Sequence, residues 1–389
     1  MEKIRIGDAC ELLNGFAFKS ENYVKEGIRI IRIANVQKGY IEDNTPAFYP
    51  ADSEGLDKYM LEENDLLMSL TGNVGRVAIL QKDMLPAALN QRVACLRLKT
   101  DRITKGYLFH LLNSDFFEQK CIQSSKGVAQ KNMSTDWLKD FLIPVYSVEK
   151  QQEITTTLDN LRNIINKRKQ ELNKLDDLIK ARFVEMFGDP EYNTLDWPVK
   201  KLNALCNVGS SKRIYQEEQT MDGIPFWRIS DLIAKMDTGN VESSLYIPEI
   251  KYEELKKQGL VPEPGDILMT SRGTLGRCYI ISPNDRFYFQ DGMISWLSHY
   301  ADEITPVYIQ YLFDMPGFKK QIDSMQAGST VVYLSIAMLK KLNIMLPDRE
   351  RQEQFACFVD QVDKSKAAVQ KSLDETQLLF DSLMQKYFG

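Results

Sequence analysis

At 389 residues, 43% hydrophobic and 26% charged, the chain has the make-up of a globular protein of two or three domains, not of a disordered or fibrous one. A net charge of -5 excludes a bulk basic signature, while six scattered cysteines without a CxxC pair and only two histidines argue against a zinc site, a disulfide framework and a histidine-dependent hydrolase. No apolar run reaches spanning length and Met1-Glu2-Lys3-Ile4-Arg5 lacks the apolar core of a signal peptide, so the expectation is a cytoplasmic protein without a membrane partner and with free, buried thiols.

Taken in order, the chain opens with short β-rich runs at 28–33, 65–70, 76–80 and 93–98, punctuated by Gly, Asn and Pro turns. A helix is expected around 107–121, followed by a Gly-led loop and Leu142-Ile143-Pro144. Between Pro144 and Gly188 there is neither Gly nor Pro, and apolar residues recur at Ile154, Leu158, Leu161, Ile165, Leu172, Leu175, Ile179 and Met186. That three-four spacing predicts a long helix with a coiled-coil seam, interrupted by Arg168 and Arg182. Ser147 is suited to cap it, and Glu149 stands in the first turn, where the helix dipole favours negative charge. Gly188 and Pro190 stop it, and 189–198 reads as a linker rich in turn formers.

The plan then repeats. Ile6, Cys10 and Arg32 match Leu202, Cys206 and Arg228 at a shift of 196. A five-residue excess in the second half raises the shift to 201, laying Asp65-Leu66-Leu67-Met68 over Asp266-Ile267-Leu268-Met269, and Gly72 and Gly75 over Gly273 and Gly276. A helix is expected around 307–324, then Met345-Leu346-Pro347, the cap Asp348 and a second seam at Phe355, Val359, Val362, Val369, Leu373, Phe380, Leu383 and Tyr387. An antiparallel register with Ile154 opposite Tyr387 sets Arg168 against Leu373 and Lys366 against Leu175, so that no seam position pairs two charges. The expected fold is α+β: two tandemly duplicated mixed α/β domains, 1–148 and 189–347, separated by two long helices, 149–188 and 348–389, that form an antiparallel coiled coil.

No catalytic constellation is present. The sequence has no P-loop, no Gly-rich cofactor loop, no Asn/Asp-Pro-Pro-Tyr tetrapeptide, no HExxH and no GxSxG elbow. No metal site is expected.

Residues 1–148 carry 19 basic and 19 acidic side chains and residues 191–348 carry 16 and 20, so nucleic-acid binding has to rest on one face of each half. Candidates for that face occupy matching slots. The turn with Ser69, Thr71, Asn73 and Arg76 is repeated with Ser271, Arg272, Thr274 and Arg277; it reads either as a tight hairpin or as a set of short polar groups suited to phosphates and base edges. A loop with Lys126, Gln130, Lys131 and Asn132 has a counterpart with Ser329, Thr330 and Tyr333, readable as solvated loops or as two different readers on one scaffold. Asn90, Gln91 and Arg92 align with Gln290, and Lys19 with the basic loop of Lys212 and Arg213. Arg32 and Arg228, at matching strand ends, are contacts or structural ion-pair partners.

In this order and duplicated, Gly15-Phe16-Ala17-Phe18-Lys19-Ser20, Ile31-Arg32-Ile33-Ala34-Asn35, Gly265-Asp266-Ile267-Leu268-Met269-Thr270-Ser271-Arg272-Gly273, Glu149-Lys150-Gln151-Gln152-Glu153-Ile154, Glu350-Arg351-Gln352-Glu353-Gln354-Phe355, Phe187-Gly188 and Phe388-Gly389 resemble the S, or specificity, subunit of type I restriction-modification systems. The resemblance covers the whole chain. It implies two target-recognition domains, each reading one half of a bipartite asymmetric site in double-stranded DNA, with the paired helices as a spacer. It also implies a non-catalytic chain with no cofactor of its own. Two modification subunits would supply S-adenosylmethionine-dependent adenine-N6 methylation, and two restriction subunits can join with ATP and Mg. The alternative from another class is a coiled-coil protein-interaction scaffold without direct DNA readout.

Overall fold

The computed structural model describes residues 2–124, 132–325 and 333–389. The chain forms two compact units, Met1–Gln170 with Gln370–Gly389, and Glu171–Val369.

The first unit is organised on a four-stranded antiparallel sheet in the order Cys10–Asn14, Val93–Leu98, Leu66–Ser69, Val77–Ile79. Leu66–Ser69 is buried along its whole length, which is why Leu66-Leu67-Met68 is a continuous apolar run and not an alternation. Its pleat sends Leu66 and Met68 into a core with Tyr107, Leu108, Leu111, Phe117 and Cys121 from the helices. Leu67 goes to the other side, into a core with Ile31, Ala87, Leu89 and Cys95 beneath a three-stranded sheet. That sheet runs Phe48–Tyr49, Ile28–Ile31, Ala87–Leu89, the last pair parallel. Each fully buried leucine or phenylalanine contributes about 1.5–3 kcal/mol to this packing. Glu2–Arg5 pairs with Leu142–Val145.

The second unit repeats every one of these sheets in the same order. Its four-stranded sheet is Asn207–Gly209, Ile294–Ser298, Ile267–Thr270, Cys278–Ile280; its three-stranded sheet is Tyr246–Ile247, Ile224–Trp227, Tyr288–Phe289; and Val199–Lys201 pairs with Asn343–Met345. The sequence excess of the second half is spent on helices. Ile229–Thr238 and Glu249–Lys257 stand where the first unit has only the short 3-10 turns Ile33–Asn35 and Asp57–Tyr59.

The helix expected around 107–121 is two helices, Lys105–Leu112 and Asp115–Ser124. Asn113 ends the first, and Ser114 caps the second, its Oγ accepting from the Phe117 N–H at 3.2 Å. The counterpart around 307–324 is likewise Pro306–Asp314 and Pro316–Ser324, because Pro316 lacks the N–H that a continuous helix needs.

Both long helices form, as Val148–Phe187 and Arg349–Phe388, 40 residues each. Ser147 Oγ accepts from the Lys150 N–H at 3.3 Å at the start of the first. Within the first unit, Ile154 and Leu158, near the start of one helix, share a core with Phe380, Leu383 and Tyr387, near the end of the other. Within the second unit, Leu175 and Ile179 share a core with Phe355, Val359 and Val362. Early residues of one helix therefore meet late residues of the other, which is antiparallel pairing. Lys366 Nζ lies 2.6 Å from Asp176 Oδ1, one position from the Leu175 that the register sets against it. Among the seam residues, Ile154, Leu158, Ile165, Ile179, Phe355, Val359, Val362, Val369 and Leu373 are buried, and Leu161, Leu172, Leu175, Phe380 and Leu383 are half-buried.

Five cysteines are buried, but Cys357, on the second long helix, is exposed, against the expectation of buried thiols throughout. Among the described residues, no helix is long and apolar enough to cross a membrane.

Candidate nucleic-acid interface

The backbone brings the separated slots of each half to one edge. In the first unit the hairpin after Leu66–Ser69 is stitched to two other segments: Leu70 N–H donates to the Arg92 carbonyl at 3.0 Å, and Met133 N–H to the Leu70 carbonyl at 2.8 Å. Thr71 and Asn132 form a β-bridge. Gln91 N–H donates to the Phe16 carbonyl at 2.9 Å and Asn90 N–H to the Ile31 carbonyl at 3.2 Å, which adds the loop leading to Lys19 and the strand end at Arg32.

The second unit uses the same stitches with different side chains. Ser271 N–H donates to the Met293 carbonyl at 2.9 Å, Leu334 N–H to the Ser271 carbonyl at 3.0 Å, and Arg272 bridges Tyr333. Gln290 N–H donates to the Trp227 carbonyl at 2.9 Å, next to Arg228.

At the hairpin itself the expected alternatives separate. Ser69 is fully buried; its Oγ donates to the Asn73 carbonyl at 2.5 Å and accepts from the Arg76 N–H at 3.0 Å. Thr270 repeats this with the Thr274 carbonyl at 2.5 Å and the Arg277 N–H at 3.1 Å. Ser271 is 1% exposed, and its Oγ lies 2.6 Å from that of Ser295. Ser69 and Ser271, expected at the interface, are therefore scaffold: their hydroxyls hold the turn and the sheet and face no solvent. A tight hairpin is what the Gly-x-x-Gly spacing builds, and its tip residues Asn73 and Thr274 are exposed.

The arginines divide in the same way. Arg32 is half-buried, its guanidinium on the Thr45 carbonyl and its backbone N–H on Asn35 Oδ1 at 2.9 Å, while its Nε is buried without a partner. Arg228 takes the equivalent N–H bond to Asp231 Oδ2 at 2.8 Å, but its side chain is exposed, 3.7 Å from that carboxylate and 3.1 Å from Ser244 Oγ. Arg76 is half-buried against Gln37, and Arg277 against Asp237 at 2.6 Å. Arg272 lies over the ring of half-buried Tyr333, 5.2 Å from its centre, an arrangement that stiffens a long side chain at a surface.

Lys19, Gln91, Arg92, Asn132, Lys212 and Arg213 are exposed, and Thr71, Asn90 and Gln290 half-buried. Lys126, Gln130, Lys131, Ser329 and Thr330 lie outside the described residues. Asp291, which with Gln290 makes up the slot aligned with Asn90, Gln91 and Arg92 and is itself a candidate contact from the sequence, binds Arg213 at 2.8 Å. No sequence feature marks Asp237, which binds Arg277.

Chemically, each edge presents amides, hydroxyls and guanidinium groups on backbone fixed from several sides, the donor and acceptor set that reads base edges and phosphates. Among the described residues no His/Cys/Asp/Glu cluster could hold a metal ion.

Comparison with known proteins agrees across the chain. The family model for the type I restriction modification DNA specificity domain matches residues 1–174 and 194–376. The chain is 23% identical over 423 residues to the type I restriction enzyme EcoBI specificity subunit of Escherichia coli, covering 99% of this chain and 85% of that one. It is 30% identical over 183 residues to the MjaVIII specificity subunit of Methanocaldococcus jannaschii, covering 44% and 43%. The crystal structure of the type I restriction-modification S subunit from M. genitalium shares the fold, with a TM-score of 0.60 over 100% of this chain and 96% of that one at 16% identity. With two family matches that together span both halves, laid on two units whose sheets share one strand order, this chain belongs to the type I restriction modification DNA specificity domain family.

Proposed function

We propose that the chain is the sequence-reading subunit of a type I restriction-modification complex, each unit reading one half of a bipartite, asymmetric duplex site. The observation that carries this is the duplicated edge. The same backbone stitches recur, whereas the exposed groups change from Asn73, Gln91, Arg92 and Asn132 to Arg213, Arg272 and Thr274. One scaffold with two sets of polar readers suits two different half-sites.

The chain itself does no chemistry in this reading. Two modification subunits bind S-adenosylmethionine, flip the target adenine and methylate its N6; restriction subunits, where they join, use ATP and Mg. Near-neutral recognition domains fit a division of labour in which these partners supply much of the phosphate contact.

The test is to exchange residues 1–148 for the matching segment of another family member, reconstitute with the modification subunit, and map methylated sites. One half of the motif should change and the other persist. Methylation without sequence preference by the unaltered complex would favour the scaffold reading, and methylation or cleavage by the purified chain alone would show that it is an enzyme.

A further inference from the structure

Resting on that DNA-reading function, we propose that Arg213 reads a guanine in the half-site of the second unit and that Asp291 is its positioning residue. Arg213 Nε donates to Asp291 Oδ2 at 2.8 Å. The Asp291 side chain is 23% exposed and that of Arg213 64%, so a sheltered anchor holds a solvent-facing reader. A carboxylate on Nε fixes the plane of the guanidinium and leaves Nη1 and Nη2 as the fork that matches guanine O6 and N7.

The backbone beneath is equally fixed. Ser210 Oγ donates to the Ile294 carbonyl at 2.9 Å and accepts from the Gly292 N–H at 3.4 Å. Lys212 donates its N–H to the hydroxyl of buried Tyr288 at 2.9 Å, and that hydroxyl donates to the Lys212 carbonyl at 3.2 Å. Ordering a free arginine on binding costs side-chain freedom, and this platform lowers that cost in advance.

A plain surface ion pair is the competing account, and such pairs contribute little to stability. It leaves the position unexplained. Asp291 sits in the slot where the first unit carries Asn90, Gln91 and Arg92, none of them acidic. A carboxylate facing phosphates repels DNA, and one whose charge is held on an arginine does not.

The experiment uses the complex reconstituted with its modification subunit and a randomised duplex library, read both by methylation and by binding selection, for the unaltered chain, R213A, R213K and D291N. The unaltered complex should require a G·C pair at one position of one half-site. R213A and R213K should both lose that preference by about tenfold or more, since lysine has no planar fork. D291N should weaken the same position only, with the other half-site intact in every case. An unchanged motif in R213A, a uniform loss across all sequences, or full retention of the preference in D291N would overturn the assignment. An unaltered complex without any sequence preference would instead overturn the DNA-reading function on which it rests.

Discussion

Gln151 accepts a hydrogen bond from the Thr104 backbone N–H at 2.8 Å while its amide nitrogen donates to the Arg102 and Tyr146 carbonyls at 2.8 and 2.9 Å. Gln352 does the same in the second unit, accepting from Thr305 at 2.9 Å and donating to Glu303 and Pro347 at 2.9 and 2.8 Å. Both glutamines are fully buried. Each stands one turn into a long helix and ties that helix to the start of a shorter one and to the strand end before it. Tyr107 and Tyr308 add equivalent bonds to the Pro144 and Met345 carbonyls at 3.0 and 2.9 Å. The duplication is therefore kept at the level of individual buried polar groups.

Gln151→Ala takes the side-chain partner from one N–H and two carbonyls in a partly buried setting, and unmade bonds cost about 1–3 kcal/mol each where water cannot replace them. With some relaxation, the expected loss is about 3 kcal/mol in urea unfolding, and Gln352→Ala should match it. A loss below 1 kcal/mol would show that these bonds do not hold the helix in place.

The same substitution at Asp65 and Asp266 should have opposite effects. Both carboxylates accept from an N–H three residues back, Glu62 at 2.8 Å and Glu263 at 2.9 Å. Asp65 also holds Arg97 through two bonds of 2.9 and 2.7 Å and keeps that guanidinium above its usual range. Asp266 instead accepts from Trp296 Nε1 at 2.8 Å, and its burial pushes its own pKa up. Asp65→Asn should cost about 2 kcal/mol. Asp266→Asn keeps both bonds with an uncharged acceptor. A carboxyl whose folded pKa is raised binds protons more tightly when folded, so its contribution is fully present below about pH 4 and is lost as pH rises through the folded pKa. Melts of Asp266→Asn and the unaltered chain should converge in acid and separate in favour of the variant towards neutrality.

The two glycines of the hairpin should differ in their tolerance of alanine. Gly72 and Gly75 both have positive φ, +69° and +81°, but a Cβ on Gly72 meets nothing within 4 Å, whereas one on Gly75 would lie 2.8 Å from Cys121 Sγ. Gly72→Ala should cost the left-handed strain alone, about 1–2 kcal/mol. Gly75→Ala adds overpacking of about 1–3 kcal/mol and should show a clearly lower thermal midpoint.

Phosphate and base contacts on the first edge should separate by salt. Arg92→Ala is expected to weaken binding of the reconstituted complex on all sequences and to reduce the slope of log affinity against log salt by about 1. Gln91→Ala should relax the motif at one position with little change in slope. Binding isotherms at several salt concentrations check both.

What the sequence determined by itself was everything periodic or repeated. The 201-residue shift, the seams from Ile154 to Ile179 and from Phe355 to Leu383, the turn glycines and the family resemblance are local in the chain, because apolar spacing and φ-permissive residues specify helices and hairpins from neighbouring positions. Even there, the breaks at Ser114 and Pro316 lie inside runs whose apolar spacing is continuous. The tertiary structure alone decided which polar residues face outward. Ser69 and Asn73 are four residues apart with equally polar side chains, yet one is sealed within a hairpin and the other stands at its tip. Arg213 and Asp291 lie 78 residues apart and meet only because the loop at 210–213 is bonded along Tyr288–Ile294. Burial and ion pairing depend on which strands are neighbours, and spacing along a chain does not carry that information.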